Sequence, residues 1–133
     1  MIDIAAKCPP EPAIRVMMMP RDTNAHGTIF GGVILSYLDQ AGAIEARKQG
    51  CSRVVTVAMD RIEFKQPVFV GDVLSFYAQV TSVGRTSIHV RVSVEAERFD
   101  PPAVRVAVTS AEIVYVAVDE NRRPLHIQAT EHP

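Results

Sequence analysis

Thr28-Ile29-Phe30-Gly31-Gly32-Val33-Ile34-Leu35-Ser36-Tyr37-Leu38-Asp39-Gln40-Ala41-Gly42-Ala43-Ile44-Glu45-Ala46-Arg47-Lys48 is the one long helical stretch of this chain, and Gly50 closes it. At about 100° per residue, Val33, Ile34, Tyr37, Leu38, Ala41 and Ile44 cover well over half of the helix circumference. The expectation is a helix buried nearly all round. Asp39 falls on the remaining stripe, among Gly32, Leu35, Ser36, Gly42, Ala43 and Ala46. Apart from Leu35 these are small residues, which let another backbone or a ligand come close.

Outward from the helix, the rest reads as strand. Ala13–Met19 is a short β-like segment that ends at Pro20, and a turn-rich loop, Arg21–Gly27, leads into the helix. Arg53–Asp60 is rich in Val and Thr, and Arg61–Gln66 either continues it or forms a short neighbour. Val73–Ser82 alternates, with Leu74, Phe76, Ala78 and Val80 on one face. Ile88–Glu97 alternates more cleanly, Ile88, Val90, Val92, Val94 and Ala96 against His89, Arg91, Ser93, Glu95 and Glu97. Val104–Val118 is a long last strand. Val70-Gly71-Asp72, Gly84-Arg85 and Asp100-Pro101-Pro102 read as turns. A largely antiparallel sheet with one helix to cover it implies an α+β architecture, the sheet wrapping the helix.

The 133 residues suit one domain, and 47% hydrophobic with 22% charged residues is a globular balance. Residues 1–12, punctuated by Pro9, Pro10 and Pro12, read as a loose arm; 13–127 form the domain and 128–133 a tail. No apolar run approaches bilayer length and no charged-then-apolar leader opens the chain, so no membrane association and a cytoplasmic location are expected. Cys8 and Cys51 make a poor disulfide framework and lack metal-ligand spacing. A net charge of −1 argues against wholesale nucleic-acid binding, although a local Arg or Lys cluster can still hold a phosphorylated small molecule.

Asp39 is the odd residue. Mid-helix Asp is unfavourable by propensity and costly to bury, so it needs compensation. A lone Asp in an apolar helix is ordinarily a satisfied structural carboxylate, capping a loop or paired with an arginine; the small residues around it shift the balance toward a site. Gly27-Thr28-Ile29-Phe30-Gly31-Gly32 is, by itself, either a turn with close packing or a helix N-terminus whose free N–H groups face a developing negative charge.

Asn24, these glycines and Asp39 stand in a register that identifies a family. Met19-Pro20-Arg21-Asp22-Thr23-Asn24-Ala25-His26-Gly27-Thr28-Ile29-Phe30-Gly31-Gly32, followed by Leu38-Asp39-Gln40-Ala41-Gly42, closely resembles the acyl-CoA hydrolase family of hotdog-fold thioesterases, most of all the small bacterial YciA-type enzymes. Arg53-Val54-Val55-Thr56, Pro67–Val73, Gly84-Arg85-Thr86-Ser87 and Tyr115–Asp119 extend the match over roughly residues 13–127.

The resemblance implies a hotdog fold, an antiparallel sheet around the long helix. It also implies hydrolysis of an acyl-CoA thioester to a free acid and coenzyme A, with a place in fatty acid metabolism. Asp39 matches the family's catalytic Asp and Asn24 its assisting Asn; His26 carries no essential role. Asp39 would act as general base for water, or attack the carbonyl to give a mixed anhydride. Backbone N–H of Gly31 or Gly32 would polarise the carbonyl. Gly84, Arg85, Thr86 and Ser87 are candidates for holding coenzyme A; the spacing alone favours a plain hairpin with a solvated arginine, and the resemblance brings the two readings level. Arg61 and Lys65 are weaker phosphate candidates. No metal and no cofactor are expected, coenzyme A being part of substrate and product. The implied assembly is a homodimer with active sites at its interface, joined into a hexamer as a trimer of dimers. A non-catalytic acyl-CoA-binding hotdog protein and a hotdog enoyl-CoA hydratase are the alternatives; the retained Asn24 and Asp39 speak against both.

Overall fold

The computed structural model describes residues 11–99 and 101–127. Most of the arm expected at 1–12, the tail expected at 128–133, Cys8 and Asp100 lie outside the described residues. The chain runs β1 (Ile14–Met17), a single 3-10 turn (Pro20–Asp22), α1 (Gly31–Arg47), β2 (Val54–Phe64), β3 (Val73–Val83), β4 (Ser87–Arg98) and β5 (Val104–Ala117). The strands form one sheet in the order β1-β3-β4-β5-β2, and every neighbouring pair is antiparallel. α1 packs on one face of it. This is the α+β hotdog arrangement.

Alternation decides which face is which. Ile88, Val90, Val92, Val94 and Ala96 of β4 are all buried, as are Leu74, Phe76 and Ala78 of β3 and Ala111, Ile113, Tyr115 and Ala117 of β5. They meet Ile34, Leu38, Ala41 and Ala46 of α1 in a single core. Val80 only half joins it. Tertiary hydrogen bonds move the helix start. The expected first turn, Thr28–Phe30, is extended, because Ile29 N–H bonds Val68 O at 2.8 Å and Phe30 N–H bonds Asp22 O at 2.8 Å. α1 therefore begins at Gly31. It ends just before Gly50, whose φ of 86° is the left-handed conformation that glycine adopts without strain.

The expectation of burial all round is corrected. One protomer's sheet reaches one side of the helix, so the buried stripe is Ile34, Leu38, Ala41, Gly42 and Ala46. Val33 and Tyr37 are half-buried, while Phe30 and Ile44 are exposed. Arg61–Phe64 continues β2 rather than forming a separate strand. A bulge between Asp60 and Glu63 puts Arg61 at φ 52°. β2 lies at the sheet edge, and Val57 and Phe64 on it are 54% and 52% exposed, an apolar and unpaired edge in the isolated chain.

The Pro67–Val73 match has a structural origin. Asp72, 4% exposed, accepts the Phe69 N–H at 3.0 Å and the Arg98 Nε–H at 3.2 Å, and the Arg98 guanidinium lies over the Phe69 ring. This ion pair ties the β2–β3 connection to β4.

Candidate active site

Asp39 sits halfway along α1, where the helix crosses β5 and β2. Thr56 on β2 and Tyr115 on β5 are directly opposite each other in the ladder, both on the inner face. The Thr56 hydroxyl donates to Asp39 Oδ1 at 2.8 Å. The Tyr115 hydroxyl lies 3.1 Å from the same Oδ1 and 2.7 Å from the Asp39 carbonyl oxygen. Among the described residues nothing bonds Oδ2, and no cation pairs with the carboxylate. The structural alternative of an arginine partner thus has no counterpart there. Burial, and then the Asp39 charge beside it, push the Tyr115 phenol well above the usual tyrosine range. It stays protonated and donates.

The small-residue stripe also gains a specific reading. A Cβ on Gly42 would collide with the Tyr115 hydroxyl and lie 3.0 Å from Tyr115 Cζ and 3.1 Å from Ile113 Cδ1. Gly42 faces the sheet and makes room for a phenol, not for a ligand.

Asn24 organises the loop before the helix. Its Oδ1 accepts the N–H of His26 at 2.8 Å and of Thr28 at 3.2 Å, and its Nδ2 donates to Thr28 Oγ1 at 2.9 Å. These are the bonds of an Asn turn, and they hold the loop on the N-terminal end of α1. Phe30 at the N-cap supplies no side-chain acceptor. Among the described residues, nothing bonds the N–H of Gly31 or Gly32. Gly31 lies against the Phe64 ring, 3.4 Å from where its Cβ would be. With Ile34, Phe64, Lys65 and Val68 it lines a cleft of about 310 Å³, so Lys65 and Gly31 are brought together.

One distance governs what these groups can do. Gly31 and Asp39 are eight helical residues apart, about 12 Å along the axis. A carbonyl held within about 3 Å of an oxyanion donor at Gly31 is out of reach of Asp39 in the same chain. The candidate residues thus fall into two separate groups: Asn24, Gly31 and Gly32 at the N-terminal end of α1, and Asp39 with Thr56 and Tyr115 at its middle.

The coenzyme A candidates separate. In the Gly84–Ser87 turn, Gly84 N–H bonds Ser87 O at 2.7 Å, Ala117 N–H bonds Thr86 O, and Ile127 N–H bonds Arg85 O. Arg85 Nε points at His126 Nε2, 3.4 Å away. Val118 N–H bonds Arg53 O and Asp119 N–H bonds Arg123 O. Arg53, Arg85, Arg122, Arg123 and His126 thus gather at one end of the sheet, all exposed. Arg61 goes elsewhere: its Nε pairs with Glu112 at 3.2 Å, and Arg91 shares that carboxylate at 3.4 Å. Glu112 alternates with buried Ala111 and Ile113, so this cluster is on the face turned away from α1 and Asp39. Among the described residues no group of three or more His, Cys, Asp or Glu could hold a metal, and no helix is long and apolar enough to cross a membrane.

Sequence reasoning did not single out Thr56, Tyr115, Arg53, Arg122 or Arg123. For Tyr115 a signal exists, an aromatic at an inward position of a Val-rich strand. For the others only the strand register supplies one.

Comparison with known proteins gives concordant findings. Residues 26–98 match the family model described as the thioesterase superfamily. The acyl-CoA thioester hydrolase YciA of Salmonella typhimurium is 41% identical over 116 residues, 86% of this chain and 87% of that protein. A hexameric hotdog-fold thioesterase of Campylobacter jejuni superposes with a TM-score of 0.86 at 48% identity, over 89% of this chain and 90% of that one. An aspartate-to-alanine variant of a hexameric broad-specificity acyl-coenzyme A thioesterase superposes at 0.87 with 42% identity, over 90% and 88%.

Proposed function

From the premise that this chain belongs to the thioesterase superfamily, we propose that it is an acyl-CoA thioester hydrolase whose central carboxylate is Asp39. The observation that carries the reading is the carboxylate station: an Asp in mid-helix, one oxygen held by Thr56 and Tyr115 and the other unbonded by the described residues. Hydrolysis adds water across the C–S bond, giving the free acid and coenzyme A. As general base, Asp39 takes a proton from water as its oxygen adds to the carbonyl carbon; the C–S bond then breaks and the thiolate leaves. As nucleophile, Asp39 adds first, the thiolate leaves, and water cleaves the mixed anhydride. Either route needs the ionised carboxylate, and neither calls for a cofactor. The N–H of Gly31 or Gly32, at the positive end of α1, receives the developing oxyanion. Asn24 orients the water or the carboxylate from the same end.

The separation of about 12 Å between Gly31 and Asp39 favours a composite site, the donor end of one protomer facing the carboxylate of another. The apolar β2 edge, with Val55, Val57, Ile62 and Phe64 exposed, suits pairing of two sheets into one. The exposed helix face around Phe30 and Ile44 suits further association into a trimer of dimers, and the hexameric relatives support this. The basic end of the sheet around Gly84, Arg85, Thr86 and Ser87, joined by Arg53, Arg122 and Arg123, would take the phosphates of coenzyme A. Arg53, just before β2, is three residues from Thr56, about 10 Å along extended chain, within reach of a pantetheine arm. Lys65 in the Gly31 cleft is a secondary contact, whereas Arg61, paired with Glu112 on the face turned away from Asp39, takes no part in this reading. The protein would act in the cytoplasm, where coenzyme A thioesters are made and used.

Asp39→Asn tests the assignment. It keeps the shape and removes the base, and kcat should fall about 10²–10⁴-fold across acyl-CoA esters from acetyl to palmitoyl. A folded variant with near-normal turnover refutes it.

A further inference from the structure

Tyr115 is wholly buried, yet its hydroxyl is spent on the one residue whose carboxylate the reaction needs. We propose that Tyr115 is a positioning residue for hydrolysis, its hydroxyl fixing the Asp39 side chain on Oδ1 so that Oδ2 is presented to the water or thioester carbon. The inference rests on Asp39 as the catalytic carboxylate and adds what holds it in place.

Three independent observations support it. The first is two-point attachment. A single phenol oxygen touches both the Asp39 carbonyl and Oδ1, and Thr56 closes on Oδ1 from the adjacent strand. An aspartate side chain in a helix otherwise samples several rotamers. The one phenol proton, shared between the Asp39 carbonyl and Oδ1, acts with the Thr56 hydroxyl to restrict that freedom before substrate arrives.

The second is the gap at Gly42, which the Tyr115 side chain occupies beside Ile113 Cδ1. Glycine in mid-helix is unfavourable, and here the space a Cβ would fill is taken by the Tyr115 ring and hydroxyl. α1 has been thinned at the one turn where the phenol must pass to reach Asp39. The third is protonation. Burial, and then the Asp39 charge, push the phenol upward, so it meets the carboxylate as a donor.

The electrostatic surroundings are simple enough for the effect to be read. From β2 only Thr56 reaches the carboxylate, and from β5 only Tyr115. The inner faces of β3 and β4 add Phe76, Ala78, Val90, Val92 and Val94 to the core, and among the described residues Asp39 joins no ion pair.

The test is Tyr115→Phe, with thermal unfolding measured alongside kinetics. The variant should lose about tenfold in kcat with KM within about twofold of wild type, because Tyr115 touches Asp39 and not substrate. A Tyr115 that served packing alone would lower the unfolding temperature and leave kcat of the folded variant where it was. Wild-type kcat in the folded variant overturns the proposal.

If Tyr115→Phe does not fold, 3-fluorotyrosine placed at position 115 keeps the shape and strengthens the donor. Its kcat should then differ from wild type with KM unmoved, and an unchanged kcat overturns the proposal equally. Asp39→Asn in the same series separates two failures. If it retains turnover, the reading of Asp39 falls and this inference with it. If it is dead while the Tyr115 variants turn over like wild type, this inference alone falls.

Discussion

Complementation between two dead variants tests the composite site most directly. Within one chain, Gly31 and Asp39 are separated by eight helical residues, about 12 Å, and Asn24 belongs to the Gly31 end through its bonds to Thr28. Asn24→Ala and Asp39→Ala homodimers should therefore each be nearly inactive. Unfolded together in equal amounts and refolded, about half of the dimers should be mixed if pairing is random. In a mixed dimer one site collects both lesions and the other has neither. Activity should return to about a quarter of wild type if the sites work independently. Whatever Asn24→Ala does to its loop stays in the subunit that carries it, so loop damage does not blur the outcome. The assay is release of free thiol from an acyl-CoA ester, with the mixed dimer quantified by native mass spectrometry. No recovery in the presence of confirmed mixed dimers would put Asn24 and Asp39 in the same site of one chain and refute the argument from helix length.

Gly42→Ala gains helix propensity of about 1 kcal/mol but forces a methyl into the Tyr115 phenol, an overpacking cost of about 1–3 kcal/mol. Denaturant unfolding should show net destabilisation, and a smaller loss when the same change is made in Tyr115→Phe, where the colliding oxygen is gone; equal losses in both backgrounds would mean that Tyr115 is not what Gly42 accommodates. Arg85→Ala should raise KM more than it lowers kcat, and the penalty should shrink on a pantetheine thioester lacking the nucleotide; an equal penalty on both substrates would assign Arg85 another task.

The hydrophobic period of β4 marked every buried position of that strand, and the 3.6-residue period of α1 with Gly50 beyond it marked the helix to within its first turn. The first turn was misplaced because Ile29 and Phe30 give their N–H groups to Val68 and Asp22, partners that no local pattern names. Asp39 stood out from the chain alone, since a carboxylate in an apolar helix violates a local rule. The partners that make it a station did not. Thr56 is 17 residues from Asp39 and Tyr115 is 76, and they converge only because β2 and β5 pair in one register under the helix. The same register sent Arg61 to Glu112 on the far face, although its charge suited a phosphate. Periodicity and propensity are set by neighbours along the chain, so the sequence by itself determined the elements, the buried face of β4, the anomalous carboxylate and its spacing from the start of its own helix. Hydrogen bonds between distant strands and the side on which a sheet meets a helix depend on sheet order and bulges, which collective packing selects, and so the tertiary structure alone decided which stripe of α1 is buried and what holds Asp39.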